Sequence, residues 1–111
     1  MNDSPEKRQT SESYNQIRVH FHVCPSQTCV EVQDALERLA LLPGCVDYDL
    51  RYSQSNIFQW TITGVWSHAE NRNRHYCSEQ IQVLFRCLIL QRASLICCSE
   101  GEMLHSKDSD A

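Results

Sequence analysis

Three residues near the middle of the chain carry side chains suited to moving a proton beside an aromatic molecule: Tyr48, Trp66 and His75. A histidine that titrates near neutrality can take and return a proton. Tryptophan and tyrosine offer flat apolar walls, each with one hydrogen-bonding tip. His75 is therefore the candidate base or proton shuttle, with Trp66 and Tyr48 shaping the pocket around it. Arg72 and Arg74, on the same polar stretch as His75, are candidates to pair with an anionic substrate group. Each residue also has a plainer reading. Trp66 suits a core or an interface, Tyr48 suits sheet packing, and 71–76 suits a solvated helix face.

A second group is His20, His22 and Cys24, which on a strand would share one side. Imidazole and thiolate at that spacing suit zinc or copper, with a fourth ligand from Cys97 or Cys98. No Cys-x-x-Cys pair supports this, and the residue pattern is read as holding no metal and no cofactor. Adjacent Cys97 and Cys98 could close a vicinal disulfide; reduced thiols are the simpler state. There is no glycine-rich phosphate loop and no recognisable nucleophile motif.

The elements that must position these residues follow from periodicity. Ile17, Val19, Phe21 and Val23 alternate with polar residues, as in a half-buried strand. Thr28 with Glu31 reads as a capping box, and Cys29, Val32, Leu36, Leu39 and Ala40 share one helical face that ends at Pro43-Gly44. Val46 to Tyr52 and Phe58 to Gly64 alternate again, joined by a turn at 53–56. Ser67 and Glu70 form another capping-box pattern, with 68–76 as a helical turn or a loop. Ile81, Leu84, Phe85, Leu88 and Ile89 mark a second helix, and 93–99 a fourth strand. The order βαββαβ predicts a ferredoxin-like α+β domain, with two helices on one face of a four-stranded antiparallel sheet. Residues 1–15 and 100–111 are polar and charged, and are expected to be disordered, leaving 16–99 as the domain. One sheet face should carry Tyr48, Tyr52, Trp60 and Trp66. If open, it would need a cover, most simply a second copy in an isologous homodimer.

Pro43-Gly44-Cys45 and Tyr48 before a strand, a hairpin, a strand ending at Trp66-Ser67, then His75 and Ser78, together resemble the antibiotic biosynthesis monooxygenase family. In element order the resemblance covers about residues 16–99; in residue identity it is confined to 43–78. It implies a dimeric α+β barrel, with a pocket in each subunit between sheet and helices. Some members oxygenate quinol-like, phenolic or polyketide substrates without metal or flavin, and others degrade haem. The family's tryptophan matches Trp66 and its helix histidine matches His75. The first-strand asparagine of haem-degrading members is not found beside His20 and His22, and the acid that often follows the tryptophan is Ser67 here.

Composition limits the partners. The 111 residues carry a formal net charge of −4. That acidity belongs to the ends, since 16–99 holds seven Arg and seven Asp or Glu. No basic face is implied, which argues against nucleic acid. No export signal opens the chain and no apolar run is long enough to span a membrane, so the expectation is a cytoplasmic protein, cysteine-rich with seven thiols. Its expected partners are itself and a small aromatic ligand. The functional reading is a small cofactor-independent monooxygenase acting on a quinol- or polyketide-type aromatic. The alternative is a diverged, non-catalytic relative that binds a small ligand or a protein; a metal or thiol sensor is a third class.

Overall fold

The computed structural model describes residues 12–25 and 29–103. Four strands, β1 (Glu12–Phe21), β2 (Cys45–Tyr52), β3 (Gln59–Trp66) and β4 (Ala93–Met103), form one antiparallel sheet in the order β2-β3-β1-β4. Helix α1 (Val30–Ala40) connects β1 to β2, while α2 (Ala69–His75) and α3 (Glu79–Leu90) lie between β3 and β4. This is the ferredoxin-like α+β arrangement predicted, with 68–76 supplying a short third helix.

The core forms where the strands' alternate residues meet the helices' apolar stripes. Ile17, Val19 and Phe21 of β1, Trp60, Ile62 and Trp66 of β3, and Tyr48 of β2 are buried with Val32, Ala35, Leu36 and Leu39 of α1 and Ile81, Leu84 and Leu88 of α3. The aromatic side of the sheet is thus the side that the helices cover. This corrects the expectation that Tyr48, Tyr52, Trp60 and Trp66 decorate an open face. The opposite side presents Tyr14, Gln16, Arg18, Thr61 and Thr63, by strict alternation from the buried set.

Both ends of the sheet run longer than periodicity suggests. β1 begins at Glu12, so 12–15 are strand rather than part of a disordered segment, and β4 continues through Glu100 to Met103. Antiparallel pairing explains both extensions. Trp66 at the end of β3 pairs with Ser13, and Glu12 pairs in turn with Met103. Residues 1–11 and 104–111, also assigned to terminal tails, lie outside the described residues.

The local signals fared unevenly. Ser78 caps α3, its Oγ accepting from the Ile81 N–H at 3.2 Å. The Ser67 and Glu70 pattern does not cap: His68 opens α2 with no side-chain cap bond. Cys29 opens α1 in the same way, and Thr28, of the other pattern, lies outside the described residues. Gly44 takes a left-handed φ of 80°, which L side chains rarely adopt. Its carbonyl accepts from the Ser67 N–H at 2.8 Å, tying the α1–β2 turn to the end of β3 just where Trp66 must be placed.

Candidate functional site

The site is built on the polar end of the sheet's covered side. Gly64 on β3 pairs with Tyr48 on β2 and with Asn15 on β1. With no side chain at 64, those two side chains lean together over the gap. A Cβ added there would lie 2.4 Å from the Tyr48 ring and 2.5 Å from Asn15 Oδ1. Asn15 Nδ2–H donates to the Tyr48 hydroxyl at 2.8 Å, and the Trp66 indole N–H donates to Asn15 Oδ1 at 2.8 Å. The Tyr48 hydroxyl also lies 3.1 Å from His75 Nε2 on α2.

The direction of this run follows from donor chemistry. His75 Nδ1 contacts the Arg72 carbonyl, which can only accept, so Nδ1 carries the hydrogen. Nε2 is then an acceptor, and Tyr48 O–H donates to it. Every bond points the same way: Trp66 to Asn15, Asn15 to Tyr48, Tyr48 to His75, His75 to the backbone. Burial raises the Tyr48 phenol well above its ordinary range, opposed in part by the Asn15 bond. Burial likewise lowers His75 below its usual value, against the Arg72 carbonyl bond. Both groups are therefore neutral at pH 7, and His75 keeps an accepting nitrogen. The rings also pack. His75 lies 4.4 Å from Trp66 and 4.6 Å from Tyr76, centroid to centroid.

Two cavities flank the run. The larger, about 360 Å³, lies between β1, β4 and the start of α3, lined among others by Asn15, Ile17, Tyr76, Ile81, Phe85 and Glu100. Its size falls within the ~300–1,000 Å³ of typical small-molecule sites. The smaller, about 110 Å³, touches Trp66, His75, Arg74, Asn71, Ser78 and the Leu42–Pro43 turn. Trp66 and His75 thus border the smaller cavity, while Asn15 is the member of the run that borders the larger one.

The structure brings Tyr48, Trp66 and His75 together, as the sequence suggests, and adds Asn15, which joins them. The first strand does carry an asparagine, at a position that the sequence reading left in the terminal segment. The signal was the length of β3: a partner strand reaching as far as Trp66 must include residues 13–15. Arg72 differs from the substrate pairing suggested for it. It is 7% exposed, donates from Nη1 to the Gly101 carbonyl at 3.1 Å, and faces Glu100 and Glu102 at 3.6 Å each. These contacts fasten α2, and so His75, to β4. Ser13 adds an Oγ–H bond to Glu102 at 3.0 Å. Arg74 is exposed at the rim of the smaller cavity.

The proposed metal group does not assemble. β1 stops at Phe21, so the alternation that would align His20, His22 and Cys24 is lost at His22, and no group of three or more His, Cys, Asp or Glu able to hold a metal occurs among the described residues. Cys97 and Cys98 are free thiols pointing to opposite sides of β4, with Cys98 lining the large cavity and raised in pKa by burial. No helix among the described residues is long and apolar enough to cross a membrane.

No protein-family profile matches the chain, and no curated protein matches it. Solved structures do. A conserved protein of unknown function from Bacteroides thetaiotaomicron VPI-5482, described as a possible oxidoreductase, superposes with a TM-score of 0.67 at 14% identity, covering 85% of this chain and 98% of that one. A candidate antibiotic biosynthesis monooxygenase from Nitrosomonas europaea gives 0.67 at 10% identity, covering 90% and 97%. Another from Caulobacter crescentus CB15 gives 0.65 at 11% identity, covering 86% and 92%. At these identities the likeness is one of fold. It agrees with the resemblance that the Pro43–His75 stretch carries.

Proposed function

We propose that this chain binds a small aromatic molecule in the cavity between β1, β4 and α3 and oxygenates it without metal or flavin. The observation that carries this reading is the one-way run Trp66–Asn15–Tyr48–His75, whose second member, Asn15, borders an apolar cavity of about 360 Å³. The neighbours described as candidate monooxygenases support the choice of chemistry.

Such a reaction starts with loss of a proton from a quinol- or polyketide-type substrate. The resulting anion reduces dioxygen, one oxygen atom enters the ring, and the other leaves as water. The protein's part is to desolvate the substrate, orient it and carry the proton. A ligand oxygen held at Asn15 lies next to Tyr48 in the run. With one water bridging from that oxygen to Tyr48, the substrate's proton passes to the Tyr48 oxygen as the phenol's own proton moves onto His75 Nε2. Neutral His75 is ready to accept it, and the Arg72 carbonyl holds the ring in the required tautomer. Trp66 fixes the Asn15 amide so that its N–H side faces Tyr48.

The test is oxygen uptake with a panel of quinols and anthrone-like phenols. Wild type should consume oxygen with at least one member, and His75→Ala and Asn15→Leu should each lose most of that rate. Uptake that both variants retain would remove the mechanism.

A second reading is a relative that binds its ligand without turning it over. Two observations favour it: both ring nitrogens of His75 are committed, and the cavity that His75 borders is only about 110 Å³. Ligand binding with no oxygen uptake would select this reading. In either case we place two copies against each other through the open side of the sheet, where Tyr14, Val65, Leu95 and Met103 lie, and a cytoplasmic setting suits seven free thiols. Sedimentation as a monomer at micromolar concentration would remove the pairing.

A further inference from the structure

We propose that Glu100 sets the charge selectivity of the large cavity, which admits neutral or cationic aromatic ligands and turns anionic ones away. The inference rests on the reading of that cavity as a binding site and specifies what it holds.

Glu100 pairs across the sheet with Asn15, so its side chain rises on the same side and lines the cavity beside Ile81 and Phe85. Its Oε1 accepts from the Tyr76 hydroxyl at 2.6 Å. The side chain is 48% exposed, which puts the carboxylate at the mouth rather than in the interior. The neighbouring cation does not cancel it. Arg72 stands 3.6 Å from Glu100, but also 3.6 Å from Glu102. One guanidinium between two carboxylates leaves a net negative charge at the mouth. Among the described residues no Lys, Arg or His lines the cavity; the other polar side chains on this side of the sheet, Asn15, Tyr76 and Cys98, are an amide, a phenol and a thiol.

Asn15 completes the recognition pattern. It is 2% exposed, and one amide hydrogen goes to Tyr48, while the other has no protein partner among the described residues. A buried amide hydrogen without a partner is costly, and a ligand oxygen would satisfy it. The cavity thus offers a donor at its inner wall, carbon in between, and an acceptor carboxylate at the mouth. A ring bearing an oxygen at one end and a hydroxyl or ammonium at the other matches all three. A carboxylate or sulfonate at the outer end would face the net negative charge that Glu100, Glu102 and Arg72 leave there.

Three probes of equal ring size separate these cases at pH 7: 2-naphthol, (2-naphthyl)methylammonium and 2-naphthoate, titrated calorimetrically into the full chain. We expect naphthoate to bind wild type at least ~5-fold more weakly than the other two, the gap shrinking with added salt because the mouth is exposed. Glu100→Gln should bring the three within about twofold. Glu102→Gln, which leaves Arg72 free to neutralise Glu100, should narrow the gap as well. Asp34→Asn, which removes an equal charge from α1 and does not line the cavity, should keep the wild-type order and so separates selectivity from the loss of any one carboxylate. Naphthoate binding wild type as tightly as naphthol, or Asp34→Asn erasing the order as fully as Glu100→Gln, would overturn the assignment while leaving the cavity a binding site. Failure of all three probes to bind would remove the binding site and this assignment together.

Discussion

Along the covered side of β1, Ile17, Val19 and Phe21 pack into carbon, whereas Ser13 and Asn15, one turn of the pleat further back, are just as deeply buried and polar. The two halves share a strand, a register and a neighbour, yet the physics holding them differs. The apolar half is held by area removed from water, on the order of 25 cal/mol per Å². The polar half gains little net energy from its hydrogen bonds, but loses on the order of 1–3 kcal/mol for each partner left unmatched. Fold stability is therefore concentrated around Trp60 and Ile62, and geometric specificity around Asn15 and Trp66.

The sharpest way to break this comparison is at its apolar end. Trp60 is 2% exposed, with its ring against Phe21 at 4.8 Å and Tyr52 at 5.8 Å. Trp60→Ala should cost about 3–5 kcal/mol in urea unfolding, the largest effect of any single change considered. A loss below about 1 kcal/mol would mean that the core is not centred on this half.

Gly64 is the hinge between the halves. Gly64→Ala should cost about 1–3 kcal/mol, because the new methyl falls on Tyr48 and Asn15. It should also shift the Trp66 indole resonance, as Asn15 is pushed from its acceptor position. An unchanged resonance would mean that Asn15 and Tyr48 are not packed over Gly64. Asn15→Leu, close in shape, strands the Trp66 donor and should cost about 1–2 kcal/mol, while core substitutions of equal size leave Trp66 undisturbed.

The smallest expected effect is a pH slope. His75 is lowered by burial, so the unfolded chain takes up a proton before the folded one does. His75 should therefore contribute stability in full above about pH 6.5, and that contribution should be lost as pH falls from there through the lower folded value. Wild type should lose Tm across that window more steeply than His75→Gln. Equal slopes would place His75 in a more solvated setting than the network describes.

How much of this was legible depended on the same division. The apolar half announced itself, since Ile17, Val19 and Phe21 alternate, and the stripes of α1 and α3 place the core with few errors. Trp66, Tyr48 and His75 stood out as residue types able to do chemistry. Asn15 did not, because Glu12-Ser13-Tyr14-Asn15 has the composition of a solvated tail, and only pairing with Trp66 makes it a strand. The same local view assigned Glu100 and Glu102 to a tail, although they sit on β4 against Arg72. Which side of the sheet is covered was hidden for a related reason. Alternation says which residues share a side, while the helices decide which side is covered. Polar residues at a site are placed by partners far away in sequence, and no local pattern records that.

The central claim is that the hydrogen-bonded run and the large cavity are one site, joined at Asn15. Titrating 2-naphthol into ¹⁵N-labelled protein tests it directly. The account predicts that the Asn15 side-chain amide and the Trp66 indole N–H shift together and saturate with a common Kd, Trp66 responding through Asn15 although it does not border that cavity. Saturable binding that moves exposed residues such as Phe58 and leaves both of those resonances in place would contradict it.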